Sequence, residues 1–293
     1  MLKTLAVAAV FGLLTLCCSP APVDGAAPGA ADELIAAKVA KLPTIDGKAD
    51  DDAWKGAKEL VVKIDQPDEE TPKKQISIKA VHDGDSICFL LVWADADKND
   101  QHSPFIWKGE AYESDDEKVE DAATLGFELE GKFDSDMKAG IESKWDVWEW
   151  GAARTNPSGY ALDRTHVYSK TAPAPPIKGR RLTTRDGGQI YFSHPVDAGT
   201  PCYKKIEAPE KKGEPMVSQY PSQKPTDSAA DVQAKGEYAG GKWTVEFKRK
   251  LNTGHKDDTA FAVGKPCMFA VATFDKSEKG DHDVSKAIVL KIQ

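Results

Sequence analysis

Short runs of alternating apolar and polar residues, each closed by Gly, Pro, Asn or Asp, recur through most of this sequence, and no apolar pattern at helical spacing lasts beyond about three turns. Ile76, Ile78 and Ala80 alternate in QISIKAVHDG (75–84), and Leu125, Phe127 and Leu129 alternate in ATLGFELEG (123–131). A half-buried strand needs that two-residue period, because successive side chains point to opposite faces. SICFLLVWAD (86–95) is apolar throughout and suits a strand covered on both faces. VQAKGEYAGGKWTVEFKRKL (232–251) reads as a hairpin turning at Gly240-Gly241, and PCMFAVATFDK and AIVLKI supply closing strands. Strands at this spacing predict an all-β antiparallel sandwich with long loops and few short helices. One short helix is expected near Asp50 to Trp54, where an acidic run precedes an aromatic residue.

The pattern changes at both ends and once in the middle. Residues 1–18 read as an export signal: Lys3 precedes the apolar run LAVAAVFGLL, which is short for a membrane span. Cleavage as late as about residue 31 fits the small residues of the Ala/Pro/Gly-rich run Ala21 to Ala31, and Cys17 or Cys18 invites lipid attachment. Residues 19–42 read as a linker, with one helical turn or an edge strand in ELIAAKVAKL, and residues 43–293 as one domain. Inside it, 155–230 reads as a long insertion of loops with short strands such as THVYSK and GQIYFS. No further span is expected, which places the chain outside the cytoplasm, in solution or lipid-anchored.

Composition excludes several classes of function. A net charge of -8 argues against nucleic acid, whose phosphates call for Lys and Arg. The six histidines form no HExxH and no His/Cys cluster, and no GxSxG, P-loop or GxGxxG appears. No CxxCH is present, so a covalently attached c-type haem is not expected. Beyond residue 18 the cysteines are Cys88, read as a buried thiol, and Cys202 and Cys267, each after a Pro, which an oxidising compartment could join. DADKND (95–100) starts like a calcium loop, with Asp95, Asp97 and Asn99 at odd positions. Asp100 stands where an EF-hand has Gly and Ile106 where it has Glu, so a solvated turn is the competing reading.

The most distinctive stretch is MKAGIESKWDVWEWGAARTNPSGYALDR (137–164), with one of four methionines and three of seven tryptophans. Trp148 and Trp150 share one face of a strand, and Met137 lies upstream in a short polar loop. Met137 either fills a gap in the core or offers its thioether sulfur to a haem iron. His282 stands in a polar loop ahead of the last strand, with Lys286 four residues on.

Four separated blocks carry a resemblance: TIDGKADDDAW, the 137–164 segment, GKWTVEFKRKLNTG and FAVATFDKSEKGDHDVSKAIVLKI. Together, from Pro43 to Ile292, they resemble the ethylbenzene-dehydrogenase-type haem-binding domain, the gamma subunit of periplasmic type II molybdenum enzymes of the dimethyl-sulfoxide-reductase family. The first block alone is shared with sugar-binding modules of the family 9 type, and the fold the resemblance implies is a sandwich like theirs and like DOMON domains. The acidic character, the 155–230 insertion and the extended start most resemble gamma subunits of nitrite oxidoreductases. The resemblance implies one haem b held by Met137 and, three residues before Ser285, by His282, with Lys286 as the alternative ligand. Trp148, Trp150 and Arg154 would line the pocket, Arg154 pairing with a propionate. The chain would then be non-catalytic, relaying single electrons between an iron–sulfur subunit beside the molybdenum subunit and a soluble c-type cytochrome. The alternative is a carbohydrate-binding module gripping sugar between Trp148 and Trp150 or at Trp107.

Overall fold

The computed structural model describes residues 31–64, 74–210, 213–276 and 282–293. The export signal 1–18, the lipid-attachment cysteines and the cleavage sites before Ala31 lie outside the described residues. The strands in chain order are β1 (Glu33–Lys38), β2 (Leu60–Ile64), β3 (Lys74–His82), β4 (Ser86–Ala94), β5 (Phe105–Trp107), β6 (Tyr112–Ser114), β7 (Ala122–Gly131), β8 (Ser143–Gly151), β9 (Leu162–Ser169), β10 (Gly179–Thr183), β11 (Gln189–Ser193), β12 (Met216–Val217), β13 (Gln233–Ala239), β14 (Lys242–Lys250), β15 (Cys267–Phe274), β16 (Asp283–Val284) and β17 (Ile288–Ile292). The one α-helix among the described residues is α1 (Asp52–Lys55), a single turn that buries Trp54.

The main sheet runs β10-β11-β9-β8-β7-β15-β17-β1-β3-β4-β14-β13, with β16 beside β15 and β2 beside β3. Along that path β8 and β4 are six strands apart, yet their rings touch. Phe89 of β4 lies 5.7 Å from Trp148 of β8, and Trp93 lies 6.2 Å from Trp150. Trp150 also meets Trp243 of β14 at 4.9 Å. The sheet therefore folds over on itself into a sandwich, and the rings between its halves form the core. A small second sheet, β12-β5-β6, stands apart.

Two expectations are corrected. Residues 33–38 are not linker or edge: β1 lies inside the sheet, parallel to both β17 and β3, so the sandwich is mixed rather than wholly antiparallel. Leu34 and Ala36 are fully buried there, and the small alanines of ELIAAK carry little strand signal. Cys202 and Cys267 are both free and buried, so they form no disulfide with each other. Within 155–230, THVYSK falls in β9 and GQIYFS in β11, and both extend the main sheet beyond β8.

Strand β14 fastens the sandwich with two buried polar side chains. Glu246, fully buried, accepts the Trp54 indole N–H at 2.8 Å and the backbone N–H groups of Asp46 and Gly47 at 3.0 and 2.9 Å. The TIDG turn and the DDAW helix are thus held by a residue some 200 positions away. Gly47 has φ +86°, and a Cβ there would lie 2.8 Å from the backbone of Glu237, so the turn needs glycine. Three residues on, Arg249 is 1% exposed; it pairs with Asp146 and Asp258 and donates to the Thr259 carbonyl. Its guanidinium lies 4.9 Å from both the Trp148 and Phe261 ring centroids.

Replacing Glu246 with Ala strands three buried donors. The Glu246→Ala variant should lose about 3 kcal/mol or more in urea unfolding, given roughly 1–3 kcal/mol per unsatisfied group. A loss under about 1 kcal/mol would remove Glu246 as a clamp. Arg249→Met leaves Asp146 unpaired in the core and should cost roughly 3–5 kcal/mol in the same assay.

Candidate functional site

The alternation of β8 decides what the site contains. Asp146, Trp148 and Trp150 face the core between the sheet halves, where both tryptophans are 0% exposed. Trp145, Val147 and Glu149 face the other way and form the floor of a cleft. Thr124 and Gly126 of β7 and Ala270 and Ala272 of β15 continue that floor, their small side chains leaving room above it. Counted with its open mouth, the cleft holds some 820 Å³ of free space.

One wall comes from the 155–230 segment. Arg164, His166 and Tyr168 alternate along β9, and Phe192 and His194 come from β11 and the residue after it. Trp145 packs against Tyr168 at 4.6 Å and Phe133 at 4.8 Å, and Tyr168 against Phe192 at 5.1 Å. Met137 packs on this aromatic cluster and lines the cleft.

His282 lines the same cleft, and the local register explains why. Asp283 and Val284 pair with Thr273 and Ala272 of β15. Ser285 is then locked, its hydroxyl accepting the Val271 N–H at 3.1 Å and its own N–H donating to the Val271 carbonyl at 2.9 Å. Positions 282 and 284 share one face, so His282 and Val284 both turn to the cleft, and the His282 ring stacks on Phe274 at 5.0 Å. Lys286 falls on the exposed side and does not line the cleft.

The polar part of the cleft is cationic at one corner. Glu149 lies 3.4 Å from Arg164 and 3.2 Å from Arg154. Burial works against its charge, but the two guanidinium groups bring its carboxyl down to about 2. An Arg164 N–H contacts His194 Nδ1 at 2.9 Å, while its Nε is buried without a partner. Burial, helped by Arg164 and His194, lowers His166 from 6.5 to about 3, so it is a neutral imidazole. Tyr168 has a buried hydroxyl without a partner, and burial raises its pKa. Arg180 also reaches the cleft.

The structure therefore brings Met137 and His282 together and leaves four expected residues elsewhere. Trp148 and Trp150 belong to the core, because the residues of β8 that face the cleft are the odd-numbered ones, and the tryptophan on the cleft side is Trp145. Arg154 is half-buried against Glu120 beside Tyr203 and Tyr220, and lines an adjacent cleft that shares Glu149 and Phe274 with the first. Lys286 is exposed. The sequence reading missed Arg164, His166 and His194; the signal was the alternation RTHVY at the short strand read in THVYSK. A sugar cannot lie between Trp148 and Trp150, since six of the seven tryptophans are buried and only Trp107 keeps a partly open ring.

A sequence model of the family described as Ethylbenzene dehydrogenase matches residues 51–287. No curated protein matches the chain. Among solved structures, a putative carbohydrate-binding protein from Bacteroides uniformis ATCC 8492 is similar at 10% identity and TM-score 0.45, over 90% of this chain and 100% of that one. A family 9 carbohydrate-binding module from Caldicellulosiruptor kristjanssonii, in complex with glucose, is similar at 10% identity and TM-score 0.38, over 89% and 96%.

With the cleft free of any ligand, His166 should stay neutral from pH 8 down to pH ~4 by nitrogen-15 NMR, where an unperturbed imidazole titrates near ~6.5. Its folded pKa is depressed, so the unfolded chain takes up the proton first and stability falls as pH drops from 6.5 towards about 3. His166→Phe should flatten that loss; a His166 midpoint near ~6.5 would contradict the buried placement.

Proposed function

The chain belongs to the ethylbenzene dehydrogenase family, and on that footing we propose that it carries one b-type haem in the cleft and relays single electrons for a molybdenum enzyme. The observation that carries this reading is that Met137 and His282, some 145 positions apart in sequence, line one aromatic-walled cleft. The donor set fits the group. A thioether and a loop imidazole are both haem-iron ligands, and Trp145, Tyr168 and Phe192 offer flat apolar contact. The buried, unpartnered Nε of Arg164 and the nearby Arg180 suit the two carboxylates that a haem presents. Arg164 takes the role that sequence alone gave to Arg154.

When bound, the haem supplies a one-electron couple, and a methionine ligand raises its potential. The protein's own work is positional. Met137 and His282 would both hold the haem iron, which would leave it no open position for substrate. The ring cluster excludes water, and neutral His166 adds no charge to the buried wall. His282 is favoured over Lys286 as second ligand because it lines the cleft while Lys286 is exposed. The chain is then a non-catalytic subunit. Its electrons come from an iron–sulfur subunit next to the molybdenum subunit and pass to a soluble c-type cytochrome. The acidic composition and long 155–230 segment favour a nitrite oxidoreductase as the complex, and the signal-like residues 1–18 favour a periplasmic location. No helix among the described residues is long and apolar enough to cross a membrane.

Purified protein should give a b-type pyridine haemochrome at one haem per chain; a colourless folded protein that takes up no added haem would exclude the proposal. Met137→Ala should lower the midpoint potential in a redox titration, and an unchanged potential would remove Met137 as ligand. Arg164→Gln should weaken haem retention by roughly tenfold, the scale of supporting contacts around an iron site.

A further inference from the structure

A second site lies where three strand ends meet. Asp95 follows β4, Asp121 precedes β7 and Asp275 follows β15, and one carboxylate oxygen from each lies within 4.8 Å of the others. Register accounts for part of the meeting: Phe274 pairs with Ala122, which puts Asp275 beside Asp121, and Asp95 is held at the end of β4 by its N–H to the carbonyl of Gly241 in the turn of the neighbouring β13–β14 hairpin, at 3.0 Å.

Two buried oxygens there have nothing to bind. Asp121 is 0% exposed; its Oδ2 accepts the Asn99 N–H at 2.8 Å and the Trp243 indole at 2.9 Å, while Oδ1 has no partner. The side-chain oxygen of Asn99 is also buried and unpartnered, and its backbone is bound to Asp121 through both N–H and carbonyl. A buried carboxylate oxygen without a donor is costly. Local lysines do not meet that demand. Lys74 lies 3.3 Å from Asp275 but is shared with Asp283 at 3.0 Å, and Lys276 pairs with Asp97.

We propose that Asp95, Asn99, Asp121 and Asp275 form a binding site for a hard divalent cation of the calcium class. All four offer oxygen, the donor such ions take, and water completes a shell of six to eight. This gives DADKND a different role from an EF-hand: Asp95 and Asn99 contribute, but the remaining ligands come from two distant strands. The ion would join the β4 end of one half of the sandwich to the β7 and β15 ends of the other. Nothing in this site depends on the haem reading, since none of its four ligands lines the haem cleft.

The test is terbium luminescence on the full chain. Trp243 touches Asp121, so excitation of tryptophan should sensitise emission from bound Tb³⁺. The emission should saturate, fall when Ca²⁺ is added, and weaken in apparent affinity by tenfold or more in Asp275→Asn and Asn99→Ala. Asp275 is exposed, so its variant should fold, and Asp52→Asn, a distant exposed carboxylate, should leave the titration unchanged. Ca²⁺ should also raise the melting temperature of the native chain but not of Asp275→Asn. Absence of sensitised emission, emission that Ca²⁺ does not displace, or a titration indifferent to Asp275→Asn would each overturn the site.

Discussion

Strand β8 has to satisfy two incompatible environments with one backbone. Its even positions, Asp146, Trp148 and Trp150, fill the interior of the sandwich, and its odd positions, Trp145, Val147 and Glu149, form the floor of the cleft. A slip of one residue would put a fully buried aspartate into the cleft and a carboxylate bound to two arginines into the core. The register is held on both sides by long ladders, to β7 and to β9, and Trp148 donates its indole to Asp146 at 2.8 Å on the same face.

The core face is itself fastened from a distance. Arg249 of β14 reaches Asp146, and Glu246 of the same strand holds the turn at Asp46 and Gly47 and the indole of Trp54. Three of the sequence blocks that carried the family resemblance therefore meet in one place. The opening TIDG…DDAW closes over Glu246 of the VEFKRK strand, and that strand also grips the WDVWEW strand. Asn156, from the turn after β8, accepts the Trp150 indole at 3.0 Å and the Gly236 N–H at 2.8 Å. A Cβ on Gly236 would lie 2.3 Å from the Trp150 ring, so β13 can pass there only as glycine.

Much of this was legible in the sequence because period-two alternation is a local signal. β3 and β7 follow from it, β4 from its continuous apolar run and the β13–β14 hairpin from its Gly240-Gly241 turn. What could not be read was global. Alternation shows that Trp148 and Trp150 share a face but not which face is covered, so they were assigned to the pocket that Trp145 lines. β1 is alanine-rich and owes its interior place to neighbours 44 and 256 positions away. Arg164 and Arg154 are ten residues apart, and only the pairing of β9 with β8 puts Arg164 at the cleft while the turn after β8 turns Arg154 to Glu120. Cys202 and Cys267 looked like partners through composition alone, which carries no distance.

On the proposed reading, the Met137 thioether and the His282 imidazole would both hold the iron of a haem in this cleft. The most direct measurement is the visible spectrum of the reduced, haem-loaded chain before and after exposure to carbon monoxide. With Met137 and His282 both bound, the iron is six-coordinate and low-spin, and the spectrum should not change. Conversion to a carbon monoxide adduct would mean that an axial position is open or weakly held, and would contradict the account.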